Sequence, residues 1–220
     1  MVHDPYWDLD KDLEFPEFDA KKTALLIVDM QRMCAHPDGW MARLARDQGK
    51  PDHLKERFDF IAEILPNLSK LIAFCRSSGV EVIFVRIGYR TPDARDGKPG
   101  LVNRLDDTAR VAEDLEILTE IKPLPHEMII DKRSVSAFNS TAIDQTLRFM
   151  GINRVWATGV VTEACVELTA RDASDRGYFT TLVTDCCASS TRAAHNDAVQ
   201  RITDGNVIQG RTSADLIALG

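Results

Sequence analysis

An α/β fold, with a parallel sheet covered by helices on both faces, is predicted by three features of the sequence. Short, nearly continuous apolar runs recur along it, amphipathic helical patterns separate them, and no linker divides its 220 residues. Runs of this kind suit strands buried on both faces, and their alternation with helices implies right-handed crossovers.

Residues 1–20 mix acidic, basic, proline and aromatic residues without period and read as an N-terminal arm, leaving 21–220 as one domain. Thr23-Ala-Leu-Leu-Ile-Val28 is the first strand. Val80–Val85, Glu127–Ile130, Arg154–Thr158 and Tyr178–Val183 repeat the pattern, and Asn206–Gln209 is a weaker sixth. Between the strands, Phe58, Ile61, Leu65, Leu68, Ile72 and Cys75 form one apolar helical stripe that stops at Gly79, with Pro66 as an expected kink or boundary. Ser140 is the expected cap of a helix carrying Ile143, Leu147 and Met150 and closed by Gly151. Thr162 is the expected cap of another that ends near Gly177, and Ser189 or Ser190 of a fourth carrying Ala194, Ala198 and Ile202. Met30–Lys55 and Ile87–Asp107 read as long irregular stretches, and loops of that length often form the walls or lid of a site.

Composition narrows the function. A net charge of −7 argues against nucleic acid or an anionic membrane as the main partner. No apolar run approaches the ~18 residues of a membrane helix, and the acidic N-terminus has no apolar signal core. The five cysteines are odd in number and form no CxxC pair or zinc-spaced Cys/His cluster, so free thiols and a cytoplasmic location are expected. His3, His36, His53, His126 and His195 are scattered, and each reads as a surface or core residue rather than a metal ligand.

In open α/β sheets, ligands gather outside the carboxyl ends of the strands. Asp29 ends the first strand, Lys132 follows the third, and Cys165 lies just beyond the fourth. With Thr162 as cap, Cys165 would occupy the third position of its helix, where the positive end of the dipole lowers a thiol pKa and a backbone N–H is left free. Cys165 as a small buried apolar residue is an equally good reading of its position alone. Cys186 and Cys187, at the end of the fifth strand, read as packing residues.

Three segments carry a resemblance. Leu25-Leu-Ile-Val-Asp29-Met-Gln31, Asp131-Lys132-Arg-Ser-Val-Ser136-Ala-Phe138 and Thr158-Gly-Val-Val-Thr-Glu-Ala-Cys165-Val resemble, in order, the three signatures of the isochorismatase-like hydrolases. Ala170-Arg171-Asp172-Ala173 and Asp185-Cys186-Cys187-Ala188 also look like that family, so the likeness runs from about residue 23 to about 210. It implies a three-layer α/β/α sandwich with a six-stranded, mainly parallel, Rossmann-like sheet. It also implies a triad of Asp29, Lys132 and Cys165, a cis peptide at Val160-Val161, and an oxyanion hole from the N–H groups of Val161 and Cys165.

The presence of Cys165 points to the amide-cleaving branch, because isochorismatase proper cleaves a vinyl ether and commonly lacks the cysteine. The metal-binding histidines that nicotinamidases place after the second strand have no counterpart in Phe84–Thr91, so no metal and no cofactor are expected. The remainder resembles metal-free ureide and amide hydrolases such as N-carbamoylsarcosine amidases and biuret, triuret and ureidoacrylate hydrolases. The resemblance further implies a small amide or ureide as substrate, a thioester intermediate, a homodimer or homotetramer, and Phe138, Thr162, Tyr89 and Arg90 as pocket residues. Vinyl-ether hydrolysis by Asp29 alone and a non-catalytic binding domain of the same fold are the alternative readings.

Overall fold

The computed structural model of the chain describes residues 14–91, 95–97, 112–205 and 207–220. Six strands, β1 (Thr23–Val28), β2 (Glu81–Ile87), β3 (Met128–Lys132), β4 (Arg154–Val160), β5 (Phe179–Ala188) and β6 (Ile208–Arg211), form one sheet in the order β3-β2-β1-β4-β5-β6. All five pairings are parallel, and helices cover both faces. From β1 the chain winds outward through β2 and β3, then returns to β4 on the other side and winds outward again. The topological switch point therefore lies between the carboxyl ends of β1 and β4.

The continuous apolar run of β1 follows from this architecture, since side chains alternate between faces with a period of two. Leu25 and Ile27, with Val82, Phe84 and Trp156, face α3 (Lys55–Ser78) and Leu216 of the C-terminal helix α7 (Ser213–Ile217). Ala24, Leu26 and Val28, with Ile83, Val85, Val155 and Ala157, face α4 (Ile143–Phe149), α5 (Glu167–Asp175) and α6 (Arg192–Thr203). Each fully buried Leu or Ile contributes about 1.5–3 kcal/mol, so two such layers hold the sheet from both sides.

The structure departs from the sequence expectations at identifiable places. The Met30–Lys55 stretch is not irregular but contains α1 (Arg32–Ala35) and α2 (Trp40–Asp47). Met33, Cys34, Ala35, Trp40 and Ala42 are buried there, in a pattern too short for periodicity to register. Helix α3 runs through Pro66 without a boundary; Pro66 and Ala62, whose carbonyl loses its partner, are both exposed, so water takes over that role. Its buried stripe is Phe60, Ile61, Ile64, Leu68, Leu71, Ile72 and Cys75, rotated from the expected one so that Phe58 and Leu65 are only partly buried. Gly79 closes the helix at φ 87 as expected.

Three caps differ. The Ser140 hydroxyl accepts the N–H groups of Arg133 and Ser134, and Thr141 Oγ1 accepts that of Ile143 instead. Thr191, not Ser189 or Ser190, caps α6 through the N–H of Ala194. Thr162 caps nothing, as described below. Strands β2, β3, β4 and β5 each extend further toward the carboxyl edge than expected, so Asp131 and Lys132 close β3 itself and Cys186 and Cys187 lie within β5. Strand β6 starts at Ile208, later than expected; Asn206 lies outside the described residues.

Of the arm, Tyr6 and Trp7 lie outside the described residues. Phe15 packs on Phe179, Phe18 stacks on Trp156 with centroids 5.5 Å apart, and Arg154 donates to the carbonyls of Pro16 and Glu17. Most of the Ile87–Asp107 stretch, expected as a wall or lid, also lies outside the described residues.

One glycine is indispensable to the switch point. Gly159, paired with Val28, has φ 110, and a Cβ there would lie 2.0 Å from the Val28 carbonyl oxygen. Gly159→Ala is expected to lose at least about 3 kcal/mol, whereas Gly79→Ala, whose Cβ meets nothing within 4 Å, loses about 1 kcal/mol for its positive φ alone. Urea midpoints of the two variants check this; equal shifts would refute the backbone clash.

Candidate active site

The site begins where β1 stops. Asp29 adopts φ 54, a left-handed conformation that non-glycine residues seldom take and that Asp tolerates better than most. Its N–H is held by the Val85 carbonyl at 2.8 Å. Two residues on, the Gln31 side chain clamps the end of β2, accepting the Ile87 N–H at 2.7 Å and donating to the Ile87 carbonyl at 3.1 Å and the Asp114 carbonyl at 3.4 Å. Gln31 is fully buried, so each of these bonds replaces one that water would have made. The turn after β1 is thereby tied to β2 on one side and, through a bridge to Ile117, to the chain after Asp114 on the other.

Lys132 arrives from β3, two strands from β1 and so roughly 10 Å away at ordinary strand spacing. Only a long side chain spans that gap, and lysine also brings a charge. Its Nζ lies 2.9 Å from Asp29 Oδ2, 3.4 Å from Cys165 Sγ and 3.2 Å from the Ser134 carbonyl, with the side chain completely buried. Burial alone would lower the lysine pKa; the Asp29 carboxylate, with the hydrogen bonds to Asp29 and Cys165, outweighs it and raises it, so the amine stays protonated. Among the described residues Asp29 Oδ1 is buried with no hydrogen-bond partner.

Cys165 does not sit in the first turn of an α-helix. Strand β4 ends in a cis Val160-Val161 peptide, at the position the resemblance implied, and a π-helical turn, Thr162–Val166, precedes α5. Val161 is its cap residue and its carbonyl accepts the N–H groups of Ala164 and Val166. The Thr162 hydroxyl instead meets His195 Nδ1 at 2.9 Å. The expected lowering of the thiol pKa is reversed. Burial raises it, the neighbouring Asp29 carboxylate raises it further, and Lys132 opposes both without prevailing. The resting state is a thiol beside a carboxylate–ammonium pair.

The other expected pocket residues are dispersed. Among the described residues the Tyr89 hydroxyl is buried without a partner, and burial, with lesser contributions from Cys34 and Asp96, pushes its pKa up to about 12. Arg90 is exposed, and its backbone N–H, with that of Thr91, is held by the Asp96 carboxylate. Phe138 lies in the core on the α4–α6 face, 6.0 Å from the Tyr178 ring and beneath the Arg176 guanidinium. Thr162 is fully buried, with its hydroxyl turned to His195. Cys186 and Cys187 are fully buried, and burial raises both thiol pKa values.

Sequence reasoning missed two neighbours. Arg57 is a buried guanidinium on α3 whose Nε and Nη2 donate to the Cys34 carbonyl at 3.0 and 2.9 Å, while Nη1 reaches Ser190 Oγ. Cys34 is buried near Asp29; burial, then that carboxylate, pushes its thiol up to about 12. No local pattern marks either residue, since an arginine in the first turn of a helix is ordinarily solvated. Among the described residues no group of three or more His, Cys, Asp or Glu side chains is placed to hold a metal ion, and no helix is long and apolar enough to cross a membrane.

The raised thiol pKa has a direct reading. Alkylation of Cys165 by iodoacetamide, followed by peptide mass spectrometry, is expected to accelerate continuously from pH 7 to beyond pH 9, because the reactive thiolate grows with every unit. A plateau near neutrality would mean a preformed thiolate.

Comparison with known proteins agrees with this architecture. The chain is 28% identical over 204 residues to the ureidoacrylate amidohydrolase RutB of Variovorax paradoxus, covering 86% of this chain and 75% of that protein. It is 27% identical over 205 residues to the RutB of Caulobacter segnis, covering 86% and 80%. Among solved structures, a cysteine hydrolase from Pseudomonas syringae pv. phaseolicola superposes with a TM-score of 0.78 at 23% identity, covering 96% of this chain and 97% of that one. N-carbamoylsarcosine amidase from Thermoplasma acidophilum superposes with a TM-score of 0.65 at 25% identity, covering 87% and 96%. The isochorismatase domain model matches residues 23–213, spanning all six strands and the Asp29, Lys132 and Cys165 positions, and the chain belongs to the isochorismatase family.

Proposed function

We propose that this chain is a cysteine-nucleophile amidohydrolase that cleaves a small linear amide, ureide or carbamoyl compound through a thioester at Cys165. It is a hydrolase of non-peptide C–N bonds, and the amidohydrolase and amidase named among its relatives are consistent with that substrate class. The observation that carries the reading is the position of Lys132 Nζ, within 2.9 Å of the Asp29 carboxylate and 3.4 Å of the Cys165 sulfur. A vinyl-ether hydrolysis has no use for the sulfur, whereas acyl transfer uses all three groups.

The chemistry follows from the charges. Asp29 takes the thiol proton as sulfur attacks the carbonyl carbon, and Oδ1, with no other partner, is the oxygen free to receive it. Lys132 keeps its proton throughout and balances the negative charge as it passes between carboxylate and sulfur. The tetrahedral oxyanion takes hydrogen bonds from the N–H groups of Val161 and Cys165, each such donor being worth about 3–4 kcal/mol. Protonated Asp29 then gives its proton to the leaving nitrogen, the C–N bond breaks, and ammonia or an amine departs. Water, deprotonated by Asp29, attacks the thioester; the C–S bond breaks and the sulfur recovers the proton. The product is a carboxylic acid, or a carbamic acid when the substrate is a ureide.

The Tyr89 hydroxyl, buried and unpaired, supplies a donor to a polar ureide, and Arg90 on the surface beside it completes the polar entrance. Thr162 acts from the turn as part of the wall rather than through a free polar atom, whereas Phe138, packed against Tyr178 and beneath Arg176, serves the core.

Ammonia release is to be screened over ureides, carbamoyl amino acids and small aliphatic amides. Turnover of the best substrate is expected to fall by about 10⁴-fold or more in Cys165→Ala, with Asp29→Asn and Lys132→Met each losing at least about 10³-fold. An acyl adduct on Cys165 is expected by mass spectrometry of quenched reactions. Unimpaired turnover by Cys165→Ala would overturn the nucleophile assignment.

A further inference from the structure

We propose that His195 is a positioning residue for catalysis, holding the turn that carries the nucleophile through its hydrogen bond to the Thr162 hydroxyl. The inference rests on the assignment of Cys165 as nucleophile and adds to it a residue that never touches the substrate.

The turn needs an external anchor. Thr162–Val166 is a π-helical turn, a wider winding than an α-helix, and no side chain caps its amino end. Its first residue is Thr162, three positions before Cys165, and the Thr162 hydroxyl spends its bond on His195 Nδ1 at 2.9 Å. Both partners are buried, Thr162 completely and His195 at 8% exposure. A buried hydroxyl deprived of its partner costs about 1–3 kcal/mol, so the turn has a defined seat against α6 and few others of equal energy.

His195 is itself fixed. The Phe60 ring meets its imidazole edge to face at 5.1 Å, and the Arg192 guanidinium lies 4.4 Å over the same Phe60 ring. Burial holds the His195 pKa below the ordinary value; Arg192, on its own helix, acts in the same direction and Glu163, on the turn, acts against both. A neutral imidazole can serve the hydroxyl as acceptor or donor at Nδ1. Two further ties hold the same elements together. Ser189, just before α6, donates to the Glu163 carboxylate on the turn, and Glu167, the first residue of α5, pairs with Arg201 of α6 and Arg171 of its own helix. The seat of the nucleophile is therefore α6 and the chain just before it, and Thr162–His195 is the tie made by the first residue of the turn. If His195 were there only to fill space beside Phe60, an apolar side chain would do as well.

A displacement of the nucleophile by 1 Å costs about 10²-fold in rate, while substrate binding by other groups is largely spared. In steady-state ammonia release, His195→Ala and the isosteric Thr162→Val are each expected to lower kcat about ten- to a hundredfold with KM within about threefold. His195→Asn, whose amide group comes near the place of Nδ1, and Thr162→Ser, which keeps the hydroxyl, are expected to recover to within about fivefold of the parent. The double variant Thr162→Val/His195→Ala is expected to be no slower than the worse single variant, because both remove one interaction. Thermal denaturation of each variant accompanies the kinetics, and Thr162→Val carries the test should the His195→Ala cavity unfold the chain. Wild-type kcat in folded Thr162→Val, losses that multiply in the double variant, or no recovery in Asn and Ser, would each overturn the proposal. Cys165→Ala is assayed alongside: its inactivity with unimpaired His195 and Thr162 variants sinks only this inference, whereas its activity sinks the nucleophile itself.

Discussion

The buried ion pair between Lys132 and Asp29 is the interaction on which the site depends. Its side chains are 0% and 2% exposed, and their oxygen and nitrogen are 2.9 Å apart. Taking two charges out of water is expensive, and a pair of this kind is weak evidence for stability, because apolar residues of equal volume would often serve the fold as well. Its presence in the most buried part of the carboxyl rim is therefore better understood through chemistry. In the proposed mechanism the pair gives Cys165 a base and a counter-charge at once, in a low-dielectric setting where both act strongly.

The rest of the rim is arranged to hold that pair. Asp29 is fixed by its left-handed backbone and the Val85 carbonyl, Gln31 locks the ends of β1 and β2 together, and Gly159 lets β4 pass close enough to β1 for Cys165 to reach the same point. A half-buried sulfur beside a carboxylate rests protonated, and in the proposed mechanism that same carboxylate removes the proton when the acyl group arrives. Site and fold thus share one cause, the reversal of winding direction between β1 and β4.

Much of this was legible in the sequence. The six strands, their parallel arrangement and the convergence of Asp29, Lys132 and Cys165 on the carboxyl edge all follow from runs, punctuation and order. What escaped was of two kinds. Helices α1 and α2 are short and buried by tertiary contact, so Met33, Cys34 and Trp40 leave no periodic trace. Caps and pKa values depend on partners far along the chain. Thr162 looked like a helix cap because its neighbours are helical, but its hydroxyl bonds a histidine 33 residues away. The thiol was expected to be acidic because a helix begins beside it, yet burial and Asp29 outweigh that effect. Local rules located the reactive residues; their ionisation belongs to the packed molecule.

Lys132 closes β3, and among the described residues β3 is an edge strand, hydrogen-bonded on one side only. Margins of a sheet open more readily than its middle, since fewer bonds must break for them to fray. The ammonium of the proposed reaction centre is thus supplied by one of the least supported strands of the six, while the carboxylate and sulfur hang from central ones. On warming, the enzyme would fall silent before it melts, inactivated by the loosening of a border rather than by the collapse of its interior.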